Sequence, residues 1–418
     1  MQKKQQVIES SIISFLFFSI FTSKSLIYIG LTLLLLSQLF IVIKDKAAAK
    51  KYPRSYLAIL SISLFCIGIV STLSFTDSVN DVLVYFRKGA IFVLLPILYF
   101  QLSRNNNNQY ASHALLVSFV VALGYSGIKL VNIGLENWNG QRIASFWDIG
   151  RWGELLGYSI AVLVPLVIQR VNTYREKILL GGTLLFAIVF LLISGSRGPI
   201  LAVLVSFTIY FIYRKPFHLI IITLLCSTLL YVNKDLPQIS AISTRITSIF
   251  DLSTNDSNNA RLAMWQQGTA FSFSLLKDSP QSFLLGTGIE QFERKYTAFL
   301  SNQGTTSQLI ELTNNQFSFK DLHNTYLDLS VKLGIIYATV FIILLLSLFL
   351  SFYKQLDSGS PWAYSGTCLV LTYFINSMFY TSGLEYQTTI FFLIAALCHT
   401  HLNQDLTNRQ KQCSKPVS

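Results

Sequence analysis

Three short stretches carry side chains whose types and spacing could do chemistry together. Ser194-Gly195-Ser196-Arg197-Gly198-Pro199 is a tight turn between two apolar runs. Pro199 suits the first turn of a following helix. The free N–H groups and positive end of that helix would form an anion site. Arg197 adds a planar fork of donors suited to phosphate oxygens, although an arginine at an interface equally suits lipid headgroups. Further on, Asp256-Ser257-Asn258-Asn259 offers good N-caps ahead of Arg261. This spacing puts Arg261 in a first helical turn, where a cation is unfavourable against the helix dipole unless an anion binds there. A solvated surface arginine is the plain alternative. Leu262, Trp265, Phe273 and Leu276 share one face at helical spacing, so the helix is expected to lie against the bundle or a membrane surface. Asp278-Ser279-Pro280 should end it.

The third stretch is Asp321-Leu322-His323-Asn324-Thr325-Tyr326. With Asp321 as cap, His323 falls in the first turn, where the positive helix end lowers its pKa. A neutral imidazole titrating near the working pH is a candidate general base; a partly buried structural histidine is the alternative. Gly286-Thr287-Gly288 lacks the third glycine of a dinucleotide fingerprint, since Gln291 stands there, and reads as a turn. No Walker loop, nucleophile elbow or Cys/His metal spacing occurs in the sequence. No metal and no cofactor is expected, because a lone histidine on one face does not build a typical metal site.

The elements that must position these residues are helices in a membrane. The chain has 418 residues, about half of them hydrophobic and only 12% charged, against about a quarter charged in soluble domains. Apolar runs reach the length needed to span a bilayer. The candidate spans are 10–23, 25–43, 55–74, 88–103, 111–134, 154–170, 178–194, 198–213, 216–232, 333–353, 362–380 and 386–400. That makes about twelve, of which the first and fourth are short. The first follows Lys3 and Lys4 but has no A-x-A-like cleavage site, and so reads as an uncleaved helix. The net charge of +12 is explained by basic cytoplasmic loops, so no nucleic-acid partner is expected. The five cysteines imply no disulfide framework.

Basic residues set the orientation. With the N-terminus in the cytoplasm, the inside segments collect Lys44, Lys46, Lys50, Lys51, Arg54, Arg104, Arg170, Arg175, Lys177, Arg214, Lys215, Lys354 and Arg409. Both termini are then cytoplasmic. The expected organisation is nine spans over 1–232, a large outer loop with short helices over 233–332, three spans over 333–400 and a polar, disordered tail over 401–418. Arg142, Arg151 and Arg197 stand in short outer loops, against the charge rule. His323 becomes the one outer histidine, while His113, His218, His399 and His401 fall at cytoplasmic helix ends.

Twelve apolar spans, a Ser-Arg-Gly turn between two of them, an Asn259-Ala260-Arg261-Leu262 helix start in one large outer loop, and His323-Asn324 entering a late span before Gly334-Ile335-Ile336 resemble the O-antigen ligase and polymerase superfamily. Order and spacing match over about 140–350. The resemblance is to the ligases, which attach O-antigen to the lipopolysaccharide core. It implies an all-α, GT-C-like helical glycosyltransferase in the bacterial inner membrane with a periplasmic active site. The implied donor is undecaprenyl-diphosphate-linked O-antigen and the implied acceptor a sugar hydroxyl of lipid A-core, with membrane lipids around them. By the same resemblance Arg197, Arg261 and Arg142 bind the diphosphate, His323 activates the acceptor hydroxyl without a metal, and the anomeric configuration inverts. Arg142 matches an outer arginine of the superfamily, though Ile143-Ala144-Ser145-Phe146-Trp147-Asp148 departs from the usual Gly/Asn/Pro-rich sequence after it. An O-antigen polymerase joining lipid-linked repeats, or a protein O-oligosaccharyltransferase, would use the same residue types.

Overall fold

The computed structural model of the chain describes residues 2–44, 55–75, 79–134, 136–169, 173–214 and 256–413, with Ser240 and Ser243. The expected span 216–232, residues 233–239 and 244–255 of the large loop, and the basic segment 45–54 lie outside the described residues.

Every regular element among the described residues is helical. In chain order they are α1 (Gln2–Ser19), α2 (Lys24–Lys44), α3 (Tyr56–Phe75), α4 (Val79–Leu102), α5 (Asn107–Ile133), α6 (Ile149–Gln169), α7 (Tyr174–Ser194) and α8 (Arg197–Arg214). Then come α9 (Asp256–Asp278), α10 (Pro280–Leu285), α11 (Phe292–Asn302), α12 (Thr306–Leu312), α13 (Thr325–Lys332), α14 (Gly334–Tyr353), α15 (Pro361–Asn376) and α16 (Tyr386–Cys413). Helices dominate for a physical reason: in lipid every backbone N–H and C=O must be satisfied within its own segment.

Seven helices among the described residues are long and apolar enough to cross a membrane: α2 to α7, and the segment Gly334–Ser358 that begins with α14. The apolar helices α1, α8, α15 and α16 do not reach that length and hydropathy. Two sequence expectations are corrected. The fourth span is not short, because α4 begins at Val79 and carries Arg87 and Lys88 within it. The tail is not disordered from 401, because α16 runs to Cys413. Polar side chains of its last turns bond back to the bundle: Asn108 Nδ2 donates to Gln404 Oε1 at 2.6 Å, and Ser360 Oγ donates to Asp405 Oδ2 at 2.8 Å.

α6 is the central helix. Its span is 78% buried, against 28 to 39% for the other six. α7, α8 and α15 pack directly on it. The segment after α8 builds a second, smaller core of its own. Ala260, Met264 and Phe271 from α9 meet Phe292, Tyr296, Leu300, Leu309, Phe317, Leu322 and Val331. The buried face of α9 is therefore Ala260, Met264, Gly268 and Phe271. Leu262, Phe273 and Leu276, from the apolar face read in the sequence, stay exposed on α9, as they would on a helix lying on a membrane surface. The reason is Gly268: Leu322 and Leu327 close over it so tightly that a Cβ there would lie 2.7 Å from Leu322 Cδ1, which pins that face inward.

The Gly286–Gly288 turn docks this smaller core on the bundle. Thr287 and Gly288 donate their N–H groups to Val331 O and Lys332 O at 2.9 and 3.0 Å. Asp81, at the start of α4, accepts the Glu290 N–H at 2.9 Å.

Candidate active site

The Ser194–Pro199 turn is local in origin. Gly195 closes α7 in the left-handed region at φ 59°, and α8 restarts two residues later at Arg197. Arg142 holds the turn from behind. Its Nε donates to Ser194 O at 2.7 Å, and Nη2 reaches Gly195 O and Ser196 Oγ at 3.4 Å each. Ser196 Oγ donates in turn to Ile149 O at 3.1 Å, tying the turn to the start of α6. Arg142 thus spends hydrogen-bond donors on protein carbonyls.

Arg197 and Arg261 line one cavity of about 200 Å³ together with Gly198, Asn258, Trp265 and Phe379. Arg261 is the sixth residue of α9, so it stands in the second turn and not the first. The helix-dipole argument for it is correspondingly weaker. What places Arg261 is the aromatic floor: its guanidinium carbon lies 5.6 Å from the Tyr380 ring centre, within cation–π range. Tyr380 approaches because residue 198 is glycine; a Cβ there would lie 2.6 Å from Tyr380 Cε2. Arg261, Arg142 and Arg197 all act electrostatically on the Tyr380 hydroxyl.

His323 does not line that cavity but borders it through two neighbours. Trp265 Nε1 donates to His323 O at 3.3 Å, and Arg261 is close enough to act on the imidazole charge. The helix cap differs from the expectation. Asn324, not Asp321, is the N-cap of α13, its side-chain oxygen accepting the Tyr326 and Leu327 N–H groups at 3.1 Å each. His323 therefore precedes the helix, with φ at 45°, a conformation uncommon for a side chain of its size. Asp321 accepts the His323 N–H at 3.3 Å and lies 3.6 Å from Nε2. Nδ1 is buried without a hydrogen-bond partner. The His323 pKa is held below its ordinary value, first by burial and then by Arg261, with Asp321 and Asp328 pulling the other way. The downward shift comes from burial and not from a helix end.

Contacts from several sides hold this strained residue. Asp328 Oδ1 accepts the Leu322 N–H at 3.3 Å and pairs with Lys332 Nζ at 2.9 Å; Lys332 also donates to Lys320 O at 2.9 Å. Thr325 N–H donates to Ser377 O at 2.8 Å and Thr325 Oγ1 to Tyr380 O at 2.7 Å. The turn it grips is anchored by Glu154, a fully buried carboxylate of α6 that accepts from Ser382 Oγ and Gln387 Nε2 at 3.2 and 3.0 Å. α6 therefore underlies both the arginine turn and the histidine loop.

Reading the sequence missed Tyr380 and Glu154, and placed Trp265 only on an apolar helix face, not at the cavity. Glu154 had a signal, an acid at the start of an apolar run; Tyr380 had none. Arg151 stands apart from the cavity in ion pairs with Asp148 at 2.6 Å and Glu385 at 3.5 Å. Among the described residues no group of three His, Cys, Asp or Glu side chains could hold a metal ion.

The fold and site together define a multi-pass helical membrane protein with paired arginines and a histidine at one end of its bundle. Residues 182–342 match the family model described as O-Antigen ligase. The resemblance read from the sequence is borne out: the chain carries a domain of the O-antigen ligase superfamily, which includes Arg197, Arg261 and His323, while Arg142 lies before it. The superfamily is one of glycosyltransferase-like enzymes acting on lipid-linked glycans. No curated protein matches the chain.

Proposed function

We propose that the protein is an O-antigen ligase, moving glycan from undecaprenyl diphosphate to a sugar hydroxyl of lipid A-core. The observation that carries this reading is the single cavity lined by Arg197 and Arg261, with His323 at its border. Two guanidinium forks on one small cavity suit a diphosphate. Donor cleavage expels that diphosphate, and fixed cations stabilise the charge that develops on it. The acceptor oxygen attacks the anomeric carbon, the bond from that carbon to the diphosphate oxygen breaks, and the hydroxyl proton passes to His323. Asp321 beside the imidazole stabilises the imidazolium that forms. Attack opposite the leaving group inverts the anomeric configuration, and the arginines do the work a metal would otherwise do. Arg142 acts by shaping the Arg197 turn.

In this reading about twelve spans cross the bacterial inner membrane with both termini in the cytoplasm, and the site opens to the periplasm, where both lipid-anchored substrates meet it. The positive-inside pattern supports this orientation. The test is reconstitution of purified protein with lipid-linked O-antigen and lipid A-core. Joined product without a nucleotide is expected. In a deletion strain, core free of O-antigen with long glycan retained on the carrier supports the ligase. Core bearing a single repeat would move the assignment to a polymerase with the same residues in the same roles.

A further inference from the structure

A second cationic surface lies at the same end of the bundle, on the far side of Tyr380 from the arginine cavity. Tyr380 stands between the two, its ring against Gly198 on one side and 3.8 Å from a Cβ position at Gly150 on the other. From there the segment 380–386 leads to Glu385 and Tyr386. Thr381 Oγ1 donates to Asp321, the histidine's neighbour, at 3.4 Å. Glu385 then meets Lys88 at 2.8 Å and Arg151 at 3.5 Å. Tyr386 shares Lys24 with Trp147, the ammonium lying 5.6 Å from each ring centre. Arg87 is exposed beside them and acts electrostatically on Tyr28, which is in ring contact with Tyr386 at 5.2 Å.

Two features of this surface ask for a ligand. Among the described residues it gathers four cations, Lys24, Arg87, Lys88 and Arg151; Lys88 and Arg151 form ion pairs there with two carboxylates, Asp148 and Glu385, while the buried Glu154 also acts on Arg151. Two of its donors are buried without an acceptor, the indole N–H of Trp147, which is 3% exposed, and Nε of Arg151. Buried donors without acceptors are rare, and an excess of N–H donors on ammonium and guanidinium groups selects an oxyanion. The position selects the source of that oxyanion. Thr381, at the histidine loop, is four residues from Glu385, a reach of at most about 14 Å. A short oligosaccharide covers that distance.

We infer that this surface binds a phosphate or carboxylate on the sugars of the acceptor glycolipid, holding the glycan so that its hydroxyl reaches His323. The inference rests on the glycosyl-transfer reading above and adds the acceptor subsite to it. The acceptor must then be an acidic saccharide, with its charged group some sugars away from the reacting hydroxyl.

The test uses the double variant Lys24→Gln/Arg87→Glu of the full chain, with two probes: lipid-anchored core oligosaccharide carrying sugar phosphates, and the same glycolipid after phosphatase treatment. Binding of each is measured without donor, and transfer with it. For the phosphorylated acceptor the variant should bind about tenfold more weakly or worse, with acceptor KM raised to match. Donor KM should stay at the wild-type value, and the phosphatase-treated acceptor should not distinguish variant from wild type. Equal loss with both probes, or none with either, overturns the inference. Loss of bound anionic phospholipid with acceptor binding unchanged also overturns it, making the surface a headgroup site. Phosphate-dependent binding in a protein that transfers no glycan would leave this site standing and remove the enzymatic reading; normal transfer with phosphate-independent binding does the reverse.

Discussion

Arg261→Ala separates two roles that the geometry gives one side chain. Arg261 lines the cavity with Arg197, and it is also one of the cationic influences on His323. If it holds the donor diphosphate, the loss is that of a charge-assisted hydrogen bond, roughly 1.5–3 kcal/mol. That corresponds to donor binding weaker by about 10- to 150-fold. The second effect has a definite sign. Arg261 pushes the His323 pKa down, so removing it lets the pKa rise. The rate falls as pH drops through the pKa of a general base, so the acid limb of the pH–rate profile should move to higher pH in the variant. Arg261→Lys should keep most of the wild-type pH limb because the charge remains. It should recover donor affinity only in part, because the planar fork is lost. The assay is transfer from lipid-linked glycan in detergent or nanodiscs, with donor KM and rate followed across pH for the three proteins. A donor KM within twofold of wild type in Arg261→Ala would refute the diphosphate role. An acid limb that moves to lower pH would refute the coupling to His323.

Three other outcomes follow from the same geometry. His323→Ala should bind donor normally and lose on the order of 100-fold or more in turnover; lost donor affinity with normal turnover at saturation would refute the base assignment. Asp328→Ala strands Lys332, whose side chain is 10% exposed, and breaking a buried pair costs roughly 3–5 kcal/mol. The melting temperature in detergent should fall, while Asp328→Leu/Lys332→Met should melt higher than the single variant yet stay poorly active, since the Leu322 and Lys320 contacts are gone. Transfer should persist at the full rate in a strong chelator; loss restored by a divalent cation would assign the charge stabilisation to a metal.

How much of this was legible depends on how far each feature reaches along the chain. Apolar spans are local, and lipid forces each to satisfy its own backbone. The arginine turn is equally local, with Gly195 ending one helix and Pro199 in the first turn of the next. Arg197, Arg261 and His323 could therefore be picked out as candidates, and the Gly286–Gly288 turn read correctly. The cap of α13 could not, because Asp321 and Asn324 are both good caps and the choice is made at long range. Asp328 takes the Leu322 N–H, and Thr325 is gripped by Ser377 and Tyr380. That choice puts His323 ahead of the helix and makes burial, not the dipole, the reason for its low pKa. The direction of Arg142 was hidden for the same reason, since its partners lie more than fifty residues away. So was the inward face of α9, decided by Leu322 and Leu327 closing on Gly268. Sequence by itself determined that the long apolar segments are helices and which residue types could bind an anion and take a proton. Only the tertiary structure brought Tyr380 and α6 beneath them, because packing in a membrane bundle joins residues with no pattern linking them along the chain.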